Sequence, residues 1–255
     1  MQAVHPNGLL FSRSFYSENT KEFFMKKRLQ LCMAVLFAFA AQAQTETVYH
    51  VKEGQELGDV LKFSDVYRYP AFQFGTVIFR DDRQATALLN YNLLSGEMDF
   101  VNRELDTMAL ANEKTVRYIL IDPDTFYFAE KAYIRQLAAH GDSRLGKRDM
   151  ISLADTKKIG AFGQPATAGV ESYSSWKSFK LKMKMDMTLV KQSIFYFSNG
   201  NKWMPANRKN VLKLYPRYES QLSTYIDTNA TDFSKEDQVV ALFKYLSSLD
   251  KKRSL

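Results

Sequence analysis

The sequence predicts an α+β fold: a mostly antiparallel β-sheet, built as a meander, an open barrel or a sandwich, followed by two or three C-terminal helices. Three observations support this prediction. Apolar and polar residues alternate with a period of two between residues 47 and 200, turn residues separate the alternating runs, and after Gly200 the period becomes helical. Strands first and helices last is the order typical of α+β proteins, in which the helices cover one face or end of the sheet.

The beginning of the chain is predicted to lie outside this fold. From Met25 the sequence reads three cations, then an apolar run of about 12 residues, then Ala41-Gln42-Ala43, which is the layout of a secretory signal peptide. The apolar run is shorter than the roughly 20 residues that a membrane span needs. We therefore expect cleavage before Gln44.

This prediction divides the chain into four parts. Residues 1–24 are interpreted as sequence upstream of the true start, and residues 25–43 as the signal peptide. The antiparallel β domain is then expected over residues 44–200, and a helical segment packed on it over residues 201–255. No later segment is apolar and long enough to predict a transmembrane span, so we expect a periplasmic, secreted or peripherally envelope-associated protein.

Charge and cysteine content change when the signal peptide is removed. The full chain carries 35 Lys and Arg against 28 Asp and Glu, a net charge of +7. Residues 1–43 hold five of the cations and two of the anions, so the exported chain keeps a net charge of +4. The single cysteine, Cys32, leaves with the signal peptide. Disulfides, thiol nucleophiles and cysteine metal sites are thereby excluded, and nucleic acid is not an expected partner.

The strands are predicted from alternation and from the turns that end each run. Gly75 to Phe79 is apolar and ends at a polar turn, and the alternation from Ala85 to Leu93 continues after Ser95-Gly96 with Met98 and Phe100. Asp122-Pro123-Asp124 is typical of a hairpin turn between the runs Val116–Ile121 and Thr125–Phe128. Ala132 to Ala138 fits a helix or a strand, and its alternation favours the strand. Residues 160–175, rich in Gly, Ser, Thr and Ala, are expected to form a loop.

The longest alternation runs from Phe179 to Leu189. Apolar residues occupy one parity, and the other parity carries Lys180, Lys182 and Lys184. In a strand these three lysines share one face, whereas a helix would scatter them around its circumference. Such a face is either a solvated outer face or edge strand, which is favoured, or a site for an anionic surface; in the second case these lysines are the candidate ligand-binding residues.

The helical segment is predicted in two pieces. Apolar residues from Val211 to Ile226 fall at helical spacing, and Pro216 divides them. A second helix is expected to begin at Ser234 as N-cap, with acidic residues in its first turn, where they favour the helix dipole.

Several strings resemble a known group of proteins. They are Tyr69-Pro70-Ala71-Phe72 with Gly75-Thr76-Val77, Leu89-Asn90-Tyr91-Asn92 with Gly96-Glu97-Met98, Gly160-Ala161-Phe162-Gly163, Phe195-Tyr196-Phe197, Arg208 through Pro216, and Phe243-Lys244-Tyr245-Leu246. Together they resemble uncharacterised secreted β-rich proteins that are common in Bacteroidota. The resemblance spans nearly the whole exported chain, and it implies secretion and a β-rich fold. It implies no catalytic residue.

The sequence offers few catalytic candidates. It contains no zinc-protease, nucleophile-elbow, phosphate-loop or dinucleotide-binding motif. Asp122 with Asp124 fits a calcium ligand pair, a pair of catalytic carboxylates or an ordinary turn, and the turn is favoured. His140 with Asp142 fits a base and its orienting acid or a solvated turn residue, and the solvated residue is favoured. Tyr67 and Tyr69 fit sugar stacking or core packing, and core packing is favoured.

The predicted function follows from these features. No catalytic residue, metal or cofactor is predicted, and the partner is an unknown envelope protein, glycan or lipid. We expect a non-enzymatic envelope-associated binding or structural protein. The alternative is a carboxylate-dependent hydrolase that acts on envelope polymers, for which two carboxylates about 5–10 Å apart in a concave site would be needed.

Overall fold

The alternating runs form one large antiparallel sheet. The structure is a computed structural model that describes residues 47–129, 131–154, 183, 185–200 and 202–251. These residues belong to the compact unit Glu46–Leu255.

The described residues form eleven strands and five α-helices. The strands are β1 Thr47–Val51, β2 Gln73–Phe79, β3 Gln84–Tyr91, β4 Met98–Val101, β5 Thr107–Ala109, β6 Val116–Ile121, β7 Asp124–Ala129, β8 Ala132–His140, β9 Ser143–Leu153, β10 Met187–Asn199 and β11 Lys202–Pro205. The helices are α1 Leu57–Val60, α2 Phe63–Val66, α3 Arg208–Leu214, α4 Glu219–Thr228 and α5 Glu236–Lys251.

The sheet is open, and all its strand pairs are antiparallel. The strand order is β1-β10-β9-β8-β7-β6-β2-β3-β4-β5, and β11 pairs with β10. The longest pairing joins β9 and β10, from Leu189↔Leu153 to Asn199↔Ser143. The turn between β3 and β4 also reaches β8 and β9: the Gly96 carbonyl accepts from the Tyr133 amide at 3.3 Å, and the Leu93 carbonyl from the Ile151 amide at 2.8 Å.

The predicted fold class is confirmed at its coarser level, a mostly antiparallel sheet followed by C-terminal helices. The runs at residues 75–79, 85–91, 116–121 and 125–128 are strands, Leu93 lies in the following turn, and Ala132–His140 is a strand rather than a helix. Gly96 has a φ of +76°, as its predicted turn requires. The helical pattern after Gly200 also forms helices, separated by a 3₁₀ turn at Pro216–Tyr218.

The predicted strand from Phe179 to Leu189 is confirmed only over its last three residues and is wrong at the earlier described positions. The strand begins only at Met187, and the two methionines expected on one buried face differ, because Met183 is 3% and Met185 64% exposed. Met183 bonds instead to the turn after β1: its amide donates to the Gln55 carbonyl at 2.8 Å. The Met183 carbonyl also accepts from the Gly54 amide at 2.9 Å. These two hydrogen bonds to the turn take the place of the strand pairing that the alternation predicted. Residues 160–175 lie outside the described residues.

The start of α5 also differs from the prediction. Ser234 is not the N-cap, because α5 begins at Glu236 and the Ser234 hydroxyl donates to Asp232 at 2.6 Å. The sequence analysis did not predict the short helices α1 and α2, nor the strand β11 within the segment expected to be helical.

The strand register defines two faces of the sheet. The front face carries Phe126, Tyr133, Ile151, Leu145 and Phe195, and the back face carries Tyr127, Ile134, Arg148, Tyr196 and Trp203. Two apolar clusters lie on the front face. The first packs under α1 and α2 and includes Phe126, Tyr133 and Ile151; the second packs under α3–α5 and includes Leu145 and Phe195.

Candidate functional site

A belt of charged side chains separates the two apolar clusters of the front face. Strand β9 shows the order directly: Leu145 lies in the second cluster and Ile151 in the first. Lys147 and Asp149, between them on the same face, are only 14% and 17% exposed at their side chains. The same order holds on β8, where Arg135 follows Tyr133 of the first cluster. Charges at these half-buried positions need partners, because isolated buried charges are costly.

Asp124 is the centre of the first half of this belt. Its Oδ2 accepts from the Tyr69 hydroxyl at 2.7 Å and from Nε of Arg68 at 2.9 Å. Its Oδ1 lies 3.4 Å from Nη1 of Arg135. The start of β7 positions Asp124, and the segment before β2 supplies Arg68 and Tyr69. Buried Asn90 holds that segment in place, since its side chain bonds both the amide and the carbonyl of Tyr69.

Asp149 is the centre of the second half. Arg68 joins the halves, because its Nη1 lies 3.5 Å from Oδ2 of Asp149. The Asp149 Oδ1 accepts from the Ser193 hydroxyl at 2.7 Å and lies 3.3 Å from Nζ of Lys147. Lys147 in turn reaches Glu236 of α5, with Nζ and Oε2 2.9 Å apart. We call the eight residues the front-face network: Arg68, Tyr69, Asp124, Arg135, Lys147, Asp149, Ser193 and Glu236.

The charges of the front-face network compensate one another. Three cations face three carboxylates, and each carboxylate lies within 3.5 Å of at least one cation. Burial would raise the pKa of Asp124, but the Tyr69 hydroxyl and the guanidinium groups of Arg68 and Arg135 more than offset it, so the pKa of Asp124 is lowered. Burial and the Asp124 carboxylate raise the pKa of Tyr69. At neutral pH, Asp124 is therefore an ionised hydrogen-bond acceptor.

A second carboxylate has the opposite electrostatics. Asp99 is 4% exposed, and burial raises its pKa, although hydrogen bonds from Asn92 and Tyr67 oppose the shift. The Tyr67 hydroxyl donates to Oδ2 of Asp99 at 2.8 Å, and the Asn92 amide at 3.0 Å. These contacts join β4 to the segment after α2. The buried Asp99 carboxylate thus links two segments that line the first cluster through hydrogen bonds.

The sequence-predicted site residues have different outcomes. Lys180, Lys182 and Lys184 lie outside the described residues. Asp122 is exposed in its turn, whereas Asp124 belongs to the front-face network. His140 ends β8, and Asp142 lies in the exposed turn that follows.

The two tyrosines are brought inward. Tyr67 is 2% exposed, as core packing predicts, and Tyr69 donates to Asp124.

Most of the front-face network carries no signal in the local sequence pattern. A signal was present in β9, where Lys147 and Asp149 occupy the same parity as Leu145 and Ile151. Charged residues at core-facing positions of an alternating run indicate a paired network. Their partners could not be named, because Arg68 and Glu236 are far away in sequence.

The described residues contain no group of three or more His, Cys, Asp or Glu side chains that could hold a metal ion. In the same part of the chain, no helix combines the length and hydropathy required to cross a membrane. A comparison with protein-family models, with curated proteins and with solved structures gives no match.

Proposed function

We propose that this chain is an exported, envelope-associated binding protein without enzymatic activity. The observation that carries the proposal is the pairing of Asp124 and Asp149, which share Arg68. A hydrolase that uses two carboxylates needs one of them protonated, and it needs that proton near neutral pH. The lowered pKa of Asp124 and its bonds to two guanidinium groups favour a structural role for this carboxylate.

Export is the second part of the proposal. It rests on the basic and apolar pattern from Met25 to Ala43 and on the absence of cysteine after it. The resemblance to secreted Bacteroidota proteins points the same way. We propose, at the finer level of fold, that the open sheet is a meander curled as an open barrel, because the β3–β4 turn bonds to both β8 and β9.

The hydrolase alternative stays testable because Asp124 and Asp149 lie close enough to bind one guanidinium group. The purified protein, from Gln44 onward, is incubated with peptidoglycan sacculi and with polygalacturonate. Bound protein is measured by cosedimentation, and released fragments by a reducing-end assay. We expect binding to at least one polymer and no released fragments.

The control is Asp124→Asn, which removes the carboxylate charge at the centre of the network. Fragments released by the wild type and absent with Asp124→Asn would establish the hydrolase and overturn the binding proposal. The folded state of the variant is checked by circular dichroism, so that loss of structure is not mistaken for loss of activity.

A further inference from the structure

The two faces of the sheet differ in how their charges are balanced. On β2 and β6–β10, the described back-face positions carry no Asp or Glu, whereas the front face carries Asp124 and Asp149. The back face of β9 carries two arginines, Arg144 and Arg148. Among the described residues, neither arginine forms an ion pair with a carboxylate.

Arg148 is the more buried of the two arginines. It is 9% exposed, and its Nε is buried without a hydrogen-bond partner. Its guanidinium lies beside the β3–β4 turn, where a Cβ on Gly96 would be 3.1 Å from Nη2. Its guanidinium also hydrogen-bonds the Tyr91 hydroxyl, which is neutral, so no carboxylate among the described residues compensates its positive charge, and an anion would compensate it.

Arg144 lies four residues away on the same face. Its guanidinium carbon is 5.5 Å from the centroid of the Tyr127 ring, and its Nη1 donates to the Asp142 carbonyl at 3.1 Å. Its Nε is also buried and unpaired. A neutral ring and a backbone carbonyl leave the positive charge of Arg144 uncompensated, as at Arg148.

Aromatic rings continue from Arg144 across the back face. The ring centroids of Tyr127 and Trp203 are 5.5 Å apart, and those of Tyr118 and Tyr127 are 6.0 Å apart. Trp203 lies over Gly146, between the two arginines on β9. Leu120 and Phe74, 40% and 77% exposed, lie beyond Tyr118. We call Tyr118, Tyr127, Arg144, Arg148 and Trp203 the cationic aromatic patch.

Charge and shape together select the class of ligand. Uncompensated arginines call for an anion, and they bind carboxylates through paired hydrogen bonds. Half-buried tyrosine rings present an apolar surface with a polar end, which suits a ring-shaped ligand with hydroxyl groups. A bilayer would instead use protruding apolar side chains such as Leu120 and Phe74 beside the patch, so anionic vesicles form one arm of the test.

We propose that the cationic aromatic patch binds an acidic polysaccharide, with sugar carboxylates on Arg144, sugar rings on Tyr118 and Tyr127, and the buried charge of Arg148 adding to the attraction from behind the surface. This proposal rests on the proposed binding function and names its partner class. It is independent of the front-face network, since the patch occupies the opposite face of the sheet.

The test compares two polymers with one backbone. Polygalacturonate carries the carboxylates, and its fully methyl-esterified form lacks their charge. Binding to each is measured by affinity electrophoresis and calorimetry at two salt concentrations. We expect binding to polygalacturonate that weakens as salt rises, and weaker binding to the ester.

The variants are Arg144→Gln, Arg148→Gln and Tyr127→Leu. Arg83→Gln is the matched control, because Arg83 is exposed and already paired with Asp81. Arg144→Gln should weaken binding about tenfold, which is the size expected for lost charge-assisted hydrogen bonds, and Arg148→Gln should weaken it less, because Arg148 is buried. The control should bind as the wild type does. If Arg148→Gln lowers the melting temperature strongly, Arg144→Gln carries the test.

Three results would overturn the proposal: equal binding to both polymers, undiminished binding by Arg144→Gln, or binding to anionic phosphatidylglycerol vesicles in place of polygalacturonate. Fragment release in the reducing-end assay would refute the non-enzymatic function instead. Retention on peptidoglycan without affinity for polygalacturonate would keep the binding function and reject the patch as its site.

Discussion

Gly146 shows how one residue shapes the back face. A Cβ at this position would lie 2.7 Å from Cζ3 of Trp203 and would also meet the side chain of Ile134. Both neighbours belong to a small buried cluster with Tyr196. The missing side chain therefore lets the indole pack directly on β9, and that packing sets the surface between Arg144 and Arg148.

Gly146→Ala should destabilise the protein. Overpacking of a filled site typically costs about 1–3 kcal/mol, because the neighbours must leave their preferred rotamers. The measurement is urea unfolding followed by tryptophan fluorescence, with Ala138→Gly, at a half-buried position of β8, as a comparison outside this contact. An unfolding midpoint equal to that of the wild type would show that Trp203 does not lie on Gly146.

At the scale of elements, the front-face network joins four parts of the chain. Arg68 comes from the segment before β2, Asp124 from β7, Asp149 from β9 and Glu236 from α5. The network crosses the boundary between the two apolar clusters, so we expect it to couple their unfolding. Its energy depends on pH, because carboxylates must be ionised to hold the guanidinium groups.

Asp124→Asn should lower stability at neutral pH and flatten its dependence on acid. The pKa of Asp124 is lowered from its usual 3.8 in the folded protein, so its contribution is fully present above that value. As the pH falls below 3.8 through the folded pKa, the unfolded chain binds the proton more readily and this stability is lost. At pH 7 we expect a loss of about 1–3 kcal/mol, since Arg68 and Arg135 lose their common acceptor.

The check is the free energy of unfolding in urea between pH 2 and pH 7. The control is Asp81→Asn, because Asp81 also pairs with an arginine but on the exposed surface. It should resemble the wild type, since exposed ion pairs contribute little. Equal acid sensitivity of the wild type and Asp124→Asn would mean that this carboxylate does not stabilise the fold.

Alternation and turn residues predicted most strands correctly, and they failed where tertiary hydrogen bonds decide the backbone conformation. The hairpins around Asp122-Pro123-Asp124 and Ser95-Gly96 were predictable, because turn chemistry and alternation are properties of neighbouring residues. The alternation at Met183 and Met185 failed, because hydrogen bonds to the turn after β1 decide the conformation there. Alternation indicates which residues can share a face of a strand, but it does not indicate which backbone groups form hydrogen bonds with that strand.

The candidate site was harder to predict than the fold. Arg68, Asp124, Asp149 and Glu236 are separated by dozens of residues, and only the strand order brings them together. The patch depends on the register that sets Tyr127, Gly146 and Trp203 on one face. No spacing within the sequence encodes these neighbours. What the sequence did contain was charge at core-facing positions of β9.

At the scale of the whole molecule, the charge is divided between the faces of one sheet. In the described part of the chain, the front face balances its cations with carboxylates, and the back face of the central strands holds two arginines that pair with none. The small net positive charge of the chain from Gln44 onward is consistent with a local site for an anion. Such a site in an exported protein would meet the acidic polymers of an envelope.

Export is the premise on which the proposed function depends. The chain from Met25 onward is expressed in a Gram-negative host, cells are fractionated, and the N-terminal peptide is identified by mass spectrometry. A variant with Ala43→Asp serves as control, because a charged residue in place of this small one should block cleavage. We predict an exported form that begins at Gln44 and its loss in the variant. A cytoplasmic protein that retains Met25 to Ala43 would contradict the account.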